Sequence, residues 1–196
     1  MGKLFYIMGK SASGKDTIYQ RLLRNPEFSL ERLVIYTTRP IRDGELDGRE
    51  YHFVTEEDFQ KLKAEGKIIE DRGYETVYGL WRYFTADNMN LEEKSYLGIG
   101  TLESYEKLKA YYGEEKIRPI YIEVEDGERL KRAIAREETQ EAPKYEEMCR
   151  RFLADAADFS EEKLKKAGVE TRFVNEDFDT TVQEVASYIR GDIAAD

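Results

Sequence analysis

The feature that most constrains the fold is an apolar run followed at once by a glycine-containing loop and a helical pattern. Residues 3–8 read KLFYIM, which predicts a buried strand. Residues 9–17 read GKSASGKDT, and residues 15–24 place apolar side chains at helical spacing before Asn25-Pro26 ends the helix. A strand and a helix joined in this way form the first half of a βαβ unit.

The loop has the spacing G-x-x-x-x-G-K, which is met by Gly9, Gly14 and Lys15. The glycines permit backbone conformations that turn amide N–H groups onto phosphate oxygens, and the helix that follows offers its positive dipole end to the same anion. Lys15 adds a positive charge for the β- and γ-phosphates. The pattern therefore predicts a nucleotide-binding P-loop. The residues expected to bind ATP there are Gly9, Ser11, Ala12, Ser13, Gly14, Lys15, Asp16 and Thr17.

One position of the loop departs from the usual pattern. A Ser or Thr, whose hydroxyl binds Mg²⁺, normally follows the lysine, whereas this chain has Asp16 there and Thr17 next. Carboxylate oxygens bind Mg²⁺ directly or through water, and without a metal Asp16 would repel the triphosphate. We therefore expect ATP and Mg²⁺ as cofactors. Two metal assignments stay open: Asp16 faces the ion, or Thr17 takes the hydroxyl role while Asp16 faces solvent.

The charge and the cysteine content exclude several classes of protein. The chain has 41 acidic and 31 basic residues and a net charge of −10, so it lacks the basic excess that nucleic-acid binding requires. Its one cysteine, Cys149, excludes an intrachain disulfide, and no apolar stretch approaches the roughly 20 residues of a membrane span. We expect a cytoplasmic monomer or homodimer that acts on small-molecule nucleotides, with no nucleic-acid or membrane partner.

Strand and helix patterns alternate along the rest of the chain. Strands are predicted at 33–38, 51–54, 95–100, 117–124 and 170–175, with two or three more between 67 and 85. Helices are predicted at 101–112, 126–138 and 178–190, and residues 144–166 are predicted to form one or two charged helices. This order indicates an α/β fold: a P-loop nucleoside-triphosphate fold whose mostly parallel five-stranded sheet has helices on both faces. The stretch from about 36 to 90 forms an inserted α+β segment.

Residues 37–54 read TTRPIRDGELDGREYHFV and carry a resemblance to a known family. Guanylate kinases have T-T-R-x-P-R-x-G-E-x-x-G-x-x-Y-x-F at this point, after an N-terminal P-loop. This chain resembles them over most of its length, with Pro40 one place early. The residues in register are Thr37, Thr38, Arg39, Arg42, Gly44, Glu45, Gly48, Tyr51 and Phe53.

The resemblance implies an enzyme that transfers a phosphoryl group from ATP to a nucleoside monophosphate, GMP to GDP. It implies a P-loop core of residues 1–35 and 91–196 with a helical lid at about 136–150, and an acceptor-binding segment of residues 36–90. Arg presents a planar fork of donors to phosphate oxygens, and Tyr adds a hydroxyl donor. The residues that the family pattern assigns to the acceptor are Arg39, Arg42, Tyr51, Glu70 and Tyr78.

The resemblance also implies which residues act on the transferring phosphoryl group. Arg136 matches a lid arginine of the family, and Arg151 matches a second one, with Arg150 as the alternative. Cations brought in by a lid stabilise the charge that spreads over the phosphoryl oxygens. Asn175, in a V-N-E-D stretch, matches a residue near the adenine of ATP. The expected catalytic residues are Lys15, Arg39, Arg136 and Arg151.

Four positions differ from the family where it recognises guanine. Ile35 and Leu80 replace hydroxyl residues, and Gly98 and Gly100 replace two aspartates. A site rejects an incorrect base because that base leaves polar groups of the site without hydrogen-bond partners. The loss of such groups here therefore weakens base recognition. Ribose 1,5-bisphosphate phosphokinases, which share the G-K-D-T loop, give the alternative of another phosphorylated metabolite as acceptor. A non-catalytic guanylate-kinase-like binding module is the third reading, which Lys15 disfavours.

Overall fold

The computed structural model describes residues 2–76 and 78–194, which form nine strands in two sheets, seven α-helices and one short 3₁₀-helix, Glu114–Lys116. The core sheet has the strand order β2-β7-β1-β8-β9 and all its pairs are parallel. Its strands are β1 (Leu4–Met8), β2 (Leu30–Arg32), β7 (Ser95–Ile99), β8 (Ile117–Glu123) and β9 (Arg172–Val174). The predicted parallel five-stranded sheet is confirmed.

A second sheet has the order β4-β3-β6-β5 and lies within residues 36–86. Its strands are β3 (Tyr36–Thr37), β4 (His52–Phe53), β5 (Ile68–Thr76) and β6 (Gly79–Ala86). The last two form a long antiparallel hairpin. The seven helices are α1 (Lys15–Leu23), α2 (Glu56–Ala64), α3 (Leu102–Tyr112), α4 (Asp126–Glu138), α5 (Tyr145–Asp158), α6 (Glu161–Lys166) and α7 (Phe178–Ala194).

Helices cover both faces of the core sheet, as predicted. The five residues of β1 are all buried, and their side chains alternate between two apolar clusters, as the period of a strand requires. The cluster on one face takes its helical residues from α3 and α6, and the cluster on the other from α1 and α7. A small third cluster packs Phe59 of α2 against Phe84 of β6 in the second sheet.

The single strand predicted at 33–38 is wrong. The chain leaves the core sheet after β2 and joins the second sheet at β3, so one apolar run serves both sheets. The Leu33 amide still donates to Leu97 O of the core sheet at 2.9 Å, whereas Ile35 O already accepts from the amide of His52 in the second sheet. Side-chain pattern alone does not show this crossing, because both halves of the run are apolar.

Candidate active site

The phosphate loop, Gly9–Gly14, joins the end of β1 to the start of α1. Ala12 has φ +62° and Gly14 has φ +86°, left-handed conformations that turn successive amides toward one side of the loop. A Cβ at Gly14 would lie 2.4 Å from Asn175 Nδ2, and one at Gly9 would lie 2.5 Å from Ile122 O. Both positions therefore require glycine, which explains the two glycines of the motif.

Asn175 supports this loop from the side of the core. Its Nδ2 donates to Ser13 O at 2.8 Å, its own amide donates to Glu123 O, and the residue is almost fully buried. The family pattern assigns Asn175 to the adenine side, but its side-chain amide is engaged with the loop. In this structure the side-chain amide of Asn175 positions the phosphate loop, and the assignment of Asn175 to the adenine side stays a prediction.

Lys15, Asp16 and Thr17 occupy the first turn of α1. Lys15 Nζ lies 3.3 Å from Asp16 Oδ2, and the Asp16 side chain is 82% exposed. The described residues contain no group of three or more His, Cys, Asp or Glu side chains that could hold a metal by themselves. Mg²⁺ in nucleotide sites is bound by one or two carboxylates together with phosphate oxygens, so an exposed carboxylate beside the lysine fits such an ion. Thr17 is exposed and lines a separate groove with Arg21 and Arg24.

A buried ion pair joins the phosphate loop to α4 and α5. Asp155 Oδ2 accepts from the amide of Ser11 at 2.7 Å, and Arg129 Nη1 donates to Ser11 O at 3.1 Å. Arg129 is fully buried, lies 3.4 Å from Asp155, and packs over the ring of Phe152 at 4.2 Å. Sequence spacing does not predict this role, because Arg129 follows the same helical spacing as Arg132, which is half-buried, and Arg136, which is exposed.

The two arginines that the family pattern assigns to a lid both lie beside the phosphate loop. Arg136 and Arg151 both line a cavity of about 190 Å³, here called the loop cavity, together with Ser11. Arg150 instead forms a bidentate ion pair with Glu147 at 2.6 and 2.7 Å. Within residues 2–76 and 78–194, Arg151 has no ion pair. The geometry therefore favours Arg151 over Arg150 as the second lid arginine.

Arg39 of the acceptor segment is held by a carboxylate of the protein. Its Nη1 and Nη2 donate to Glu45 at 2.8 and 2.6 Å, and its guanidinium lies over the rings of Tyr51 and Phe53 at 5.0 and 5.3 Å. These hydrogen bonds lower the pKa of Glu45 to about 2. The family pattern predicts direct contact of Arg39 with an acceptor phosphate, but both terminal nitrogens of its guanidinium donate to Glu45 in this structure. Arg42 remains exposed.

Glu70 and Tyr78 also lie differently from their predicted roles. The Glu70 side chain is 1% exposed and accepts from Arg72 and from the hydroxyl of Thr85. Tyr78 is 82% exposed and stacks on Trp81. Short motifs predict both roles, and a motif match does not determine which neighbours a side chain has; the acceptor-binding roles of Glu70 and Tyr78 stay predictions.

A second cavity, of about 620 Å³ and here called the hairpin cavity, lies on the β5–β6 hairpin. Of the predicted acceptor residues only Tyr51 lines it. The other lining residues are Ile35, Arg72, Tyr74, Trp81, Tyr83 and Arg151. In the hairpin register Arg72 faces Tyr83 and Tyr74 faces Trp81, so these four share one face of the sheet. Their alternation with period two is a signal that sequence inspection could have used.

The two glycines that replace family aspartates have a steric explanation. A Cβ at Gly98 would lie 2.7 Å from Tyr6 Cδ2, and one at Gly100 would lie 2.1 Å from Tyr6 Oη. Tyr6, on β1, thus occupies the space beside both positions. Its burial raises the pKa of its phenol, which keeps it neutral. A neutral hydroxyl stands where the resemblance implies carboxylates.

None of the helices within residues 2–76 and 78–194 combines the length and apolar character that a bilayer crossing needs. The cytoplasmic location stays a prediction.

Comparison with known proteins agrees with this geometry. A family model described as Guanylate kinase matches residues 1–192. A guanylate kinase from Wolbachia sp. subsp. Brugia malayi (strain TRS) is 29% identical, covering 96% of this chain and 92% of that protein. One from Porphyromonas gingivalis (strain ATCC BAA-308 / W83) is 28% identical, with 99% and 100% covered. The crystal structure of guanylate kinase from Anaplasma phagocytophilum matches with a TM-score of 0.62 at 22% identity, covering 97% of this chain and 85% of that one, which supports the fold.

Proposed function

This chain belongs to the guanylate kinase family, and on that premise we propose that it transfers the γ-phosphoryl group of ATP to GMP, giving ADP and GDP. The observation that carries the proposal is the position of Arg151, which lines both the loop cavity and the hairpin cavity. One cation of α5 can therefore act where a donor and an acceptor meet. Residues 1–35 and 91–196 would form the donor core, and residues 36–90 the acceptor segment.

On the donor side, backbone amides and one lysine bind the triphosphate. The left-handed residues Ala12 and Gly14 aim amides at phosphate oxygens, and α1 adds its positive N-terminus. The ammonium group of Lys15 would move from Asp16 to the phosphate oxygens when the triphosphate binds. Asp16, exposed at this point, would hold Mg²⁺ with the phosphates, with Thr17 as the alternative. The ion neutralises charge on the β- and γ-oxygens when bound.

On the acceptor side, the oxygen that attacks belongs to the monophosphate itself and is already anionic near neutral pH. No covalent nucleophile of the protein is needed, so catalysis consists of positioning and charge stabilisation. Tyr51 and the exposed Arg42 would bind the acceptor phosphate, while Arg39 holds Tyr51 and Glu45 in place. Arg136 and Arg151 would stabilise the transferring phosphoryl group as the lid of about residues 136–150 closes and excludes water.

An ADP-release assay with Mg²⁺-ATP tests the proposal. The acceptors are GMP, AMP, UMP, CMP and ribose 1,5-bisphosphate, each compared with ATP alone. We expect GMP to give the highest kcat/KM of the five. Turnover of ribose 1,5-bisphosphate or a pyrimidine nucleotide with none of GMP would contradict the proposal. Omitting Mg²⁺ should remove both ATP binding and turnover, because Asp16 then repels the triphosphate.

A further inference from the structure

One face of the β5–β6 hairpin carries an unusual arrangement of charge. Glu70, Arg72 and Tyr74 follow one another on β5 with period two, so all three side chains point to the same side. Arg72 Nε donates to Glu70 Oε2 at 3.1 Å and its Nη2 to Glu70 Oε1 at 3.4 Å. The carboxylate therefore pairs side-on with the guanidinium, and of the two residues only Arg72 lines the hairpin cavity.

Glu70 has little capacity left for a ligand. An ionised carboxylate offers about four lone-pair sites, and two of these accept from Arg72 while a third accepts from Thr85 Oγ1 at 2.8 Å. Its side chain is 1% exposed. Glu70 does not line the hairpin cavity, and one lone-pair site is the most that it has left for an acceptor.

Arg72 has donors to offer where Glu70 does not. A guanidinium has five N–H donors and stays charged, and Glu70 engages two of them. The Arg72 side chain is 20% exposed and lines the hairpin cavity. It also lines a neighbouring cavity of about 600 Å³ that includes Thr101 and Glu103. Ile35, which lines the hairpin cavity as well, has no polar side-chain atom.

We propose that Arg72 is the residue that recognises the acceptor base, through an edge that accepts hydrogen bonds, and that Glu70 is a positioning residue for Arg72. This inference rests on the proposed function and names how the base is recognised. Guanine presents O6 and N7 as adjacent acceptors, which match an arginine fork. Hypoxanthine presents the same two atoms. Adenine places an N6 amine donor beside N7, so a donor of Arg72 would face a donor of the base.

Wild-type specificity gives the first test, and it needs no variant. The measurement is kcat/KM for GMP, IMP and AMP at fixed Mg²⁺-ATP. Because IMP lacks only the 2-amino group, we expect GMP and IMP to agree within about fivefold, and AMP to be lower by about tenfold or more. A site that pairs a carboxylate with the 2-amino edge would reject IMP by on the order of 10⁴-fold. Strong turnover of GMP with rejection of IMP would overturn this inference and leave the proposed function standing.

Variants of the pair give the second test. Arg72→Ala should raise KM for GMP and IMP by about tenfold or more, leave KM for ATP unchanged, and bring the GMP-to-AMP ratio toward one. Arg72→Lys keeps the charge without the fork, so it should recover GMP binding only in part. The matched control is Arg190→Ala. This substitution removes an exposed arginine of α7 that pairs with Glu27, and it should change none of these values.

Glu70→Gln separates positioning from direct contact. Glutamine keeps an oxygen for Thr85 but loses the charge that holds Arg72, so KM should rise equally for GMP and IMP while kcat changes little. A larger loss for GMP than for IMP would show direct contact with the 2-amino group and contradict the inference. An equal loss of GMP and AMP turnover in Arg72→Ala would mean that Arg72 only supports the fold, which would also overturn it.

Discussion

The proposed donor side and the proposed acceptor side of this site are built from different parts of the chain. Backbone amides and glycine conformations form the phosphate loop, and its residues lie where the motif predicts. Side chains form the acceptor side, where Arg39 and Glu70 are paired with Glu45 and Arg72. A site made of backbone follows from residue spacing, whereas a site made of side chains depends on which partner each group finds.

The largest expected effect lies on the donor side. Lys15→Ala removes the charge at the start of α1, and we expect kcat/KM to fall on the order of 10³-fold, because a preorganised charge in a water-excluded site is lost. The ADP-release assay measures this loss. Lys166→Ala, which removes an exposed lysine of α6, is the control and should keep full activity. A fall of less than tenfold for Lys15→Ala would contradict the donor assignment.

The buried ion pair between Arg129 of α4 and Asp155 of α5 should contribute to the stability of the protein. Arg129→Met leaves Asp155 without its partner, so we expect the free energy of unfolding to fall by about 3 kcal/mol. Urea denaturation measures the change. Lys131→Met, on an exposed position of the same helix, should cost less than about 1 kcal/mol.

The same Arg129→Met variant sharpens the comparison between the two sides. Ser11 loses a hydrogen bond in the phosphate loop, so KM for ATP should rise while KM for GMP stays constant. An equal rise of both would show that the pair supports the whole molecule rather than the loop.

Arg151 should act on both sides, since it lines both cavities. Arg151→Ala should lower kcat by on the order of 10²-fold. Arg150→Ala removes the neighbouring arginine, which pairs with Glu147 on the surface. Because an exposed ion pair contributes little free energy, we expect kcat to fall by less than about threefold. Steady-state kinetics of the two variants decide the matter. Equal losses would mean that the two arginines share the role.

The smallest expected effect concerns Tyr6 and the glycines of β7. Gly100→Ala adds a Cβ against Tyr6 Oη, so we expect the free energy of unfolding to fall by about 2 kcal/mol. In the Tyr6→Phe background the hydroxyl is absent, and the same substitution should cost about 1 kcal/mol less. A double-mutant cycle in urea measures the difference. Independent, additive costs would contradict the idea that Tyr6 fills this space.

The extent of what sequence could predict follows the same division. The apolar run at residues 3–8 and the alternation of strand and helix patterns predict the core sheet, and the spacing of Gly9, Gly14 and Lys15 predicts the phosphate loop, because these features depend on local sequence. The run at 33–38 was assigned to one strand, since nothing local marks a crossing between sheets. The V-N-E-D motif identifies Asn175 as a site residue, but it does not predict the buried hydrogen bond from Asn175 to Ser13.

The charged residues of the acceptor side pair with one another, and these pairings cannot be predicted from the family pattern. The family pattern identified Glu70 by its motif, but Arg72, two residues on, determines what that carboxylate contacts. Tyr78 matched by a short motif and lies exposed on Trp81. The contact between Glu70 and Arg72 depends on side-chain conformations within β5, and the contact between Glu70 and Thr85 depends on the register of β5 against β6; residue types and spacing specify neither.

The central claim is that donor and acceptor sides cooperate in phosphoryl transfer to GMP. Anion-exchange chromatography of a reaction of Mg²⁺-ATP, GMP and the protein, with an inorganic-phosphate assay on the same samples, measures this directly, because chromatography separates ADP from GDP. The account predicts that ADP and GDP appear in equal amounts with little inorganic phosphate. Formation of ADP and inorganic phosphate without GDP would show that water is the acceptor and would contradict the account.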